Sequence, residues 1–115
     1  MNRRVDLLPV AQREVEEAFR WYEAQRPGLG YDFLLAMDAT IERLRRLPEG
    51  NEVVALRTRR ALLRRFPYLV LYALEADRIV VTAVFHGRRD PIRWSDRVRE
   101  QAISSRRLDA HRVVA

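Results

Sequence analysis

Residues 68–74 read YLVLYAL and residues 79–85 read IVVTAVF, two apolar runs separated only by EADR at 75–78. Both runs are rich in β-branched and aromatic residues, and the short polar connection indicates an antiparallel hairpin of two strands. Because polar residues hardly interrupt either run, both faces of this hairpin are expected to be covered. Helices on one face and another chain on the other would cover them, and so would a curled sheet that closes on its own core.

The sequence before this hairpin predicts a short strand and two helices. Residues 3–8 alternate between polar and apolar, and Pro9 suits the first turn of a helix. Apolar residues recur at helical spacing over 10–25 and again after PGLG at 27–30, until PEGN at 48–51 ends the pattern. The first helix is expected to turn its acidic residues away from the core, namely Glu14, Glu16, Glu17 and Glu23.

Short apolar pieces at 53–56 and 61–66 add further strands before the hairpin. The expected fold class is therefore α+β, with a strand, a helical hairpin and then a three- to four-stranded antiparallel sheet. A chain of 115 residues fits one domain. We place this domain at 1–98, followed by a basic C-terminal tail at 99–115 that is either helical or mobile.

The charge of the chain is unevenly distributed. The net charge is +6 and all 22 basic residues are arginine, of which 14 lie beyond residue 50 together with only 7 acidic residues. A basic half of this kind indicates an anionic partner. We expect the arginines at 57–65, with Arg88 and Arg89, to form one continuous basic platform. Arg43, Arg45 and Arg46 end the second helix and are interpreted as structural, because cations oppose the negative end of the helix dipole.

Composition also excludes several classes of protein. The chain has no cysteine and two histidines, which excludes a disulfide framework and disfavours a metal site. No cofactor is expected. No apolar run approaches the length of about 18 residues that a membrane helix needs, so the protein is expected to be cytoplasmic.

Three segments of the sequence occur in an order that belongs to a known family. They are AFRWYE at 18–23 with PGLG at 27–30 and Phe33, RRFPYLVLY at 64–72, and VFHGRRDP at 84–91 with Trp94 and Arg97. Together they resemble the RelE/ParE toxin superfamily, in particular its ParE-like plasmid-stabilisation branch, over nearly all of residues 3–98. The resemblance implies the toxin of a type II toxin-antitoxin system, which forms a hetero-oligomer with a cognate acidic antitoxin that wraps over it.

The superfamily contains two mechanisms. ParE-like members poison DNA gyrase without catalysis, whereas RelE-like members cleave messenger RNA on the ribosome. Cleavage needs a base, an acid and positive charge at the phosphate, and the candidates here are His86, Arg65, Arg88 and Tyr68, with Tyr72, Arg57, Arg64 and Arg89 as further ones. RelE-like nucleases usually carry a cation just before the apolar centre of the central strand, where this sequence reads YLV at 68–70. The ParE-like mechanism is therefore favoured, with the RelE-like endoribonuclease as the alternative and a non-toxic nucleic-acid-binding module as a further alternative.

The same residues have structural interpretations. His86 is interpreted mainly as a histidine bonded to backbone at the rim of the sheet, Tyr68 and Tyr72 as core residues, and Trp94 as a cap on the core edge. The residues expected to contact the target or the antitoxin are Arg57, Arg59, Arg60, Arg64, Arg65, His86, Arg88, Arg89 and Trp94.

Overall fold

The computed structural model describes residues 3–55, 57–88, 96, 97 and 99. The elements in chain order are β1 (Arg4–Leu7), α1 (Pro9–Gln25), α2 (Leu29–Arg46), a single 3-10 turn (Pro48–Gly50), β2 (Glu52–Ala55), β3 (Thr58–Leu62), β4 (Tyr68–Leu74) and β5 (Arg78–His86). The expected α+β class is confirmed, with a strand, a helical hairpin and an antiparallel sheet in that order.

The sheet contains β1 in addition to the antiparallel strands that the sequence predicts. Its order is β1-β5-β4-β3-β2. The strands β2 to β5 are antiparallel neighbours, whereas β1 pairs in parallel with β5, from Arg4 opposite Arg78 to Leu7 opposite Val81. The central hairpin of β4 and β5 therefore has a neighbour on each side, which agrees with its apolar composition.

The strand predicted at 61–66 is confirmed only at its first two residues. Strand β3 spans Thr58–Leu62, and the chain then leaves the sheet in a loop in which Arg65 adopts a φ of 71°. A positive φ is the left-handed region, which is incompatible with a continuing strand. The loop of residues 63–67 that results carries the RRFP part of the sequence motif.

Both faces of the central hairpin are buried within the chain itself. The helices cover one face, where the core includes Val70, Tyr72, Ile79, Val81 and Val84 together with Phe33, Met37 and Leu44 from α2. The opposite face carries a smaller cluster of Leu71, Ala83 and Phe85, each at most 3% exposed, with Val54 packed against it. The guanidinium carbon of Arg97 lies 5.0 Å from the centre of the Phe85 ring. The second face is therefore closed without a partner chain.

Candidate interaction surfaces

The loop of residues 63–67 is held by an aromatic cluster. Phe66 and Tyr68, on either side of Pro67, both turn into the core. The ring of Phe66 lies 4.9 Å from that of Tyr22, and the ring of Tyr68 lies 5.0 Å from that of Phe33. These edge-on contacts are the favoured geometry for aromatic pairs. They fix the loop against both helices and explain why the aromatic residues of the first two sequence motifs occur together.

Arg65 projects outward from this loop. Its guanidinium lies 3.7 Å from the carboxylate of Asp32 in the first turn of α2 and 5.5 Å from the centre of the Phe66 ring. Arg26 shares the same carboxylate at 4.0 Å. The side chain of Arg65 is 65% exposed, so Asp32 orients it without removing it from solvent.

The end of β5 lies beside the same loop. The backbone N–H of Gly87 donates to the carbonyl of Pro67 at 2.8 Å, and the His86 ring lies 5.3 Å from the ring of Tyr68. The Nδ1 atom of His86 accepts a hydrogen bond from the backbone N–H of Arg88 at 3.1 Å. This bond assigns the proton of the neutral ring to Nε2. His86 is thus bonded to backbone at the rim of the sheet, as expected.

Three of the expected contact residues are consequently brought together. Arg65, His86 and Arg88 lie at the end of the sheet where the 63–67 loop meets the end of β5, and we call this set the loop end. Arg65 and Arg88 are both exposed there. Two guanidinium groups on neighbouring loops suit the recognition of carboxylates or phosphates.

The remaining arginines do not share that surface. Arg57 is in the turn before β3, separated from Arg64 by the length of that strand, about 16 Å. Arg59 and Arg60 are adjacent in β3 and therefore point to opposite faces of the sheet. The expectation of one continuous basic platform is wrong, because strand alternation and strand length distribute these side chains over both faces and both ends.

Arg59 and Arg60 each have local partners. Arg59 donates to the carbonyls of Glu49 and Asn51 at 3.1 and 2.7 Å, which holds the 3-10 turn on the helical side of the sheet. Arg60 forms an ion pair with Glu52 across the β2–β3 ladder. Arg89 and Trp94 lie outside the described residues, as does the C-terminal tail apart from Arg99.

Tyr72 has a structural role. It is fully buried, and its hydroxyl donates to the carbonyl of Pro48 at 2.6 Å while accepting from Nδ2 of Asn51 at 3.0 Å. Burial raises the pKa of Tyr72 above its ordinary value, opposed by the hydrogen bond from Asn51 and by the nearby charge of Arg59. The phenol therefore stays neutral and ties the 3-10 turn to the sheet.

Arg97, from the third sequence motif, lies at the edge of β5. Its guanidinium donates to the carbonyl of Thr82 at 3.2 Å and to Oε2 of Glu14 at 3.4 Å. The other oxygen of Glu14 accepts from the backbone N–H of Val84 at 3.0 Å. Glu14 was expected to face solvent but is 8% exposed. A buried carboxylate needs such hydrogen-bond partners. In return, Glu14 and Arg97 bond the N–H of Val84 and the carbonyl of Thr82, which lie on the part of the β5 edge that β1 does not reach.

A groove that the sequence interpretation missed runs beside the C-terminal half of α2. Its volume is about 230 Å³ and it is lined by Ala36, Ala39, Thr40, Glu42, Arg43, Arg46 and Arg64. A neighbouring depression of about 320 Å³ shares Arg43 and Arg46 and adds Leu47, Gly50 and Asn51. We call these two depressions together the α2 groove. The only sequence signal was the spacing of Ala36, Ala39, Arg43 and Arg46, which places them on one side of a helix.

Arg43 crosses the floor of the α2 groove. Its guanidinium donates to Oγ1 of Thr40 and to the carbonyl of Leu62, each at 3.1 Å. Arg43 thus joins α2 to the end of β3. Its role is structural, as interpreted from the sequence, but it depends on these hydrogen bonds and not on the helix dipole. Arg46 and Arg64 remain exposed on either side of it.

Two further kinds of feature are absent from the part of the chain that the structure describes. Within it, no group of three or more histidine, cysteine or acidic side chains is arranged to hold a metal ion. None of its helices combines the length and the apolar character that crossing a membrane requires.

Comparison with known proteins places this geometry in context. A family model described as ParE toxin of type II toxin-antitoxin system, parDE, matches residues 5–91. Among solved structures, a chain of the chromosomal ParDE TA system from P. aeruginosa superposes with a TM-score of 0.65 at 11% sequence identity, over 73% of this chain and 95% of that chain. At that identity the likeness concerns the fold. No curated protein sequence matches the chain.

Proposed function

Because the chain belongs to the ParE toxin family of type II toxin-antitoxin systems, we propose that it arrests growth by poisoning DNA gyrase and is neutralised by a cognate acidic antitoxin. The proposed toxin domain is residues 1–98, followed by the basic tail at 99–115. The protein acts in the cytoplasm, where gyrase and the antitoxin are present, and it forms a hetero-oligomer with the antitoxin.

The observation that supports binding over catalysis is the arrangement of the loop end. The ring of Tyr68 is buried in the aromatic cluster, and Nδ1 of His86 accepts a backbone hydrogen bond. The two groups best suited to act as acid and base in RNA cleavage are therefore engaged in holding the fold. Arg65 and Arg88 stay exposed and can contact an anionic surface of the target. We assign target binding to these two arginines.

The test is a supercoiling assay with purified gyrase and the purified chain. We expect inhibition of supercoiling with accumulation of cleaved DNA, and we expect the Arg65→Glu/Arg88→Glu variant to need at least about tenfold more protein for the same effect. The matched control is Arg13→Glu/Arg20→Glu, which reverses two exposed charges on α1 and should behave as wild type. Normal supercoiling at saturating wild-type protein would remove the gyrase proposal.

The RelE-like alternative has one observation in its favour, the proximity of the His86 and Tyr68 rings at the sheet end. It predicts codon-positioned cuts in translated messenger RNA that disappear in the His86→Ala variant. Growth arrest with such cuts, and with normal gyrase activity, would assign the nuclease function. Absence of any growth arrest, together with salt-sensitive DNA binding, would assign the nucleic-acid-binding module.

A further inference from the structure

We propose that Asp32 is a positioning residue for target binding and that Arg26 is a third target-binding arginine beside Arg65 and Arg88. The inference rests on the proposed function, because target binding by Arg65 and Arg88 belongs to that function. It goes beyond it by extending the target-binding surface from the loop end to the turn between α1 and α2. It also gives a functional role to an acidic residue within a basic surface.

The carboxylate of Asp32 gathers two arginines that are distant in sequence. Its Oδ2 atom lies 3.7 Å from Nη2 of Arg65 and 4.0 Å from Nη2 of Arg26. The arginine side chains are 65% and 64% exposed, whereas the side chain of Asp32 is 36% exposed. The two guanidinium groups are therefore more accessible to a target than the carboxylate that holds them.

The backbone of all three residues is fixed by other contacts. The N–H of Arg26 donates to a carbonyl of α1 at 3.2 Å, and its own carbonyl accepts from the first N–H of α2 at 3.0 Å. The N–H of Asp32 donates to the carbonyl of Gly28 at 3.1 Å. Arg65 lies in the loop that the ring of Phe66 fixes against both helices. The freedom that remains is in the long arginine side chains, and the contact with Asp32 limits it.

The backbone of Arg65 is strained for an arginine. Its φ of 71° is the one positive φ that a residue other than glycine adopts within the described part of the chain. Glycine adopts this conformation without a steric penalty, whereas an arginine stores strain in it. Strained residues of this kind cluster at functional sites. The side chain of Arg65, rather than the conformation of the loop, therefore accounts for an arginine at this position.

A purely structural role of Asp32 as a helix cap is already filled. Glu23 accepts hydrogen bonds from the N–H groups of Gly28 and Gly30 at the start of α2. Glu23 also places a negative charge at the positive end of the helix dipole. The distinct contribution of Asp32 is therefore its contact with Arg26 and Arg65.

The sign of the effect separates positioning from simple electrostatics. If only net charge mattered, removal of a negative charge beside an anionic target would strengthen binding. Positioning predicts the opposite, because guanidinium groups released from Asp32 must be ordered again when the target binds. Asp32→Asn should consequently bind the target less tightly, although it makes the chain more basic.

The experiment measures the concentration of purified chain that half-inhibits supercoiling by gyrase, and the inducer concentration at which expression of the chain arrests growth. We expect Asp32→Asn and Arg26→Gln each to need at least about threefold more protein for the same inhibition of gyrase. Asp32→Glu keeps the carboxylate and should stay within about twofold of the wild type. Asp38→Asn removes the same charge from an exposed position of α2 and should be at least as potent as the wild type. Arg13→Gln, at an exposed position of α1, is the matched control for Arg26→Gln and should also keep the wild-type potency.

Two further measurements distinguish positioning from a loss of stability. Nitrogen-15 relaxation of the Nε–H group of Arg65 should give a lower order parameter in Asp32→Asn than in the wild type or in Asp38→Asn. Arg65→Gly should unfold at the temperature of the wild type or above it, because glycine suits the positive φ, yet it should lose at least about threefold in potency. If thermal unfolding shows that Asp32→Asn does not fold, Arg26→Gln and Arg65→Gly decide the inference.

The outcomes separate this inference from the proposed function. If Asp32→Asn is as potent as Asp38→Asn, or leaves the order parameter of Arg65 unchanged, Asp32 is not a positioning residue. Full potency of Arg26→Gln removes Arg26 from the target-binding surface. A wild-type chain that arrests growth but leaves gyrase active contradicts the proposed function, and the growth arrest by the same variants then decides the inference.

Discussion

The carboxylate of Glu23, near the end of α1, accepts a hydrogen bond of 2.9 Å from the backbone N–H of Gly30 in the first turn of α2. Its two oxygens also accept from the N–H of Gly28, at 3.1 and 3.0 Å. Gly28 is the N-cap of α2 and has no side chain to cap the helix. Glu23 therefore supplies both the missing acceptor and a negative charge at the positive end of the helix dipole.

The first prediction concerns this cap. Glu23→Gln removes the charge and one of the two acceptor oxygens, so we expect the free energy of unfolding to fall by about 1 kcal/mol. Urea denaturation of the purified chain measures the change. Glu17→Gln, at an exposed position of the same helix, should change the stability by less than about 0.5 kcal/mol. Equal effects of the two substitutions would show that the cap contributes nothing.

The second prediction concerns the distance between the two helices. A Cβ atom at Gly30 would lie 2.7 Å from the carbonyl oxygen of Phe19 and 2.8 Å from its Cδ2, closer than such atoms approach. Gly30→Ala should therefore separate the helices and cost about 2 kcal/mol of stability. At Gly50 an added Cβ would meet the Cβ of Leu47 at 3.7 Å, an ordinary contact. A thermal melt in which Gly30→Ala is as stable as Gly50→Ala would contradict the close approach.

These glycines show how much of the fold the sequence predicts. The PGLG turn predicted a helical hairpin, and the structure supplies the reasons: Gly28 has a φ of 92°, and Gly30 admits the backbone of Phe19. The two apolar runs predicted the central strands to within one residue at each end. Local patterns of this kind depend on neighbouring residues, which the sequence shows directly.

Long-range pairing is what the sequence could not show. Glu14 was expected on the polar face of α1, yet it accepts a hydrogen bond from Val84, 70 residues away. The reason is that β1 has 4 residues and β5 has 9, so part of the β5 edge needs another partner. The difference in length between β1 and β5, and the part of the β5 edge that β1 leaves uncovered, become apparent only once the pairing of the strands is known.

The candidate surfaces also depend on long-range packing that the sequence does not show. Sequence proximity suggested one platform at 57–65, but alternation along β3 sends Arg59 and Arg60 to opposite faces. The α2 groove instead combines Arg46 with Arg64, from elements that are distant in sequence. Its charge could be counted from the sequence, but its location required the packing of α2 beside the 63–67 loop.

The third prediction concerns the hydroxyl of Tyr72. Tyr72→Phe removes the hydroxyl group and, with it, the hydrogen bonds to the carbonyl of Pro48 and to Nδ2 of Asn51. We expect the free energy of unfolding to decrease by about 1–2 kcal/mol. Tyr31→Phe, at a ring that is 61% exposed, is the matched control and should be nearly neutral. If denaturation gives the same stability for both variants, the 3-10 turn does not depend on this phenol.

A pH dependence follows from the same residue. Burial raises the pKa of Tyr72 above the ordinary 10.0 in the folded chain. The contribution of a group with a raised folded pKa is fully present below the unfolded pKa and is lost as the pH rises through the folded one. Above about pH 10 the stability of the wild type should therefore fall more steeply with pH than that of Tyr72→Phe. Parallel curves over that range would contradict the assignment.

The last prediction concerns the pair of Glu14 and Arg97 at the β5 edge. Removing one member of a mostly buried pair leaves the other charge uncompensated, so Glu14→Ala should cost about 3 kcal/mol. A double-mutant cycle with Arg97→Ala should give a coupling of about 1 kcal/mol or more, because the second substitution removes the orphaned charge. The exposed pair of Glu42 and Arg45, also joined by an ion pair, should show a coupling below about 0.5 kcal/mol. A coupling between Glu14 and Arg97 as small as that of the exposed pair would mean that Arg97 does not help to hold the Glu14 carboxylate at the β5 edge.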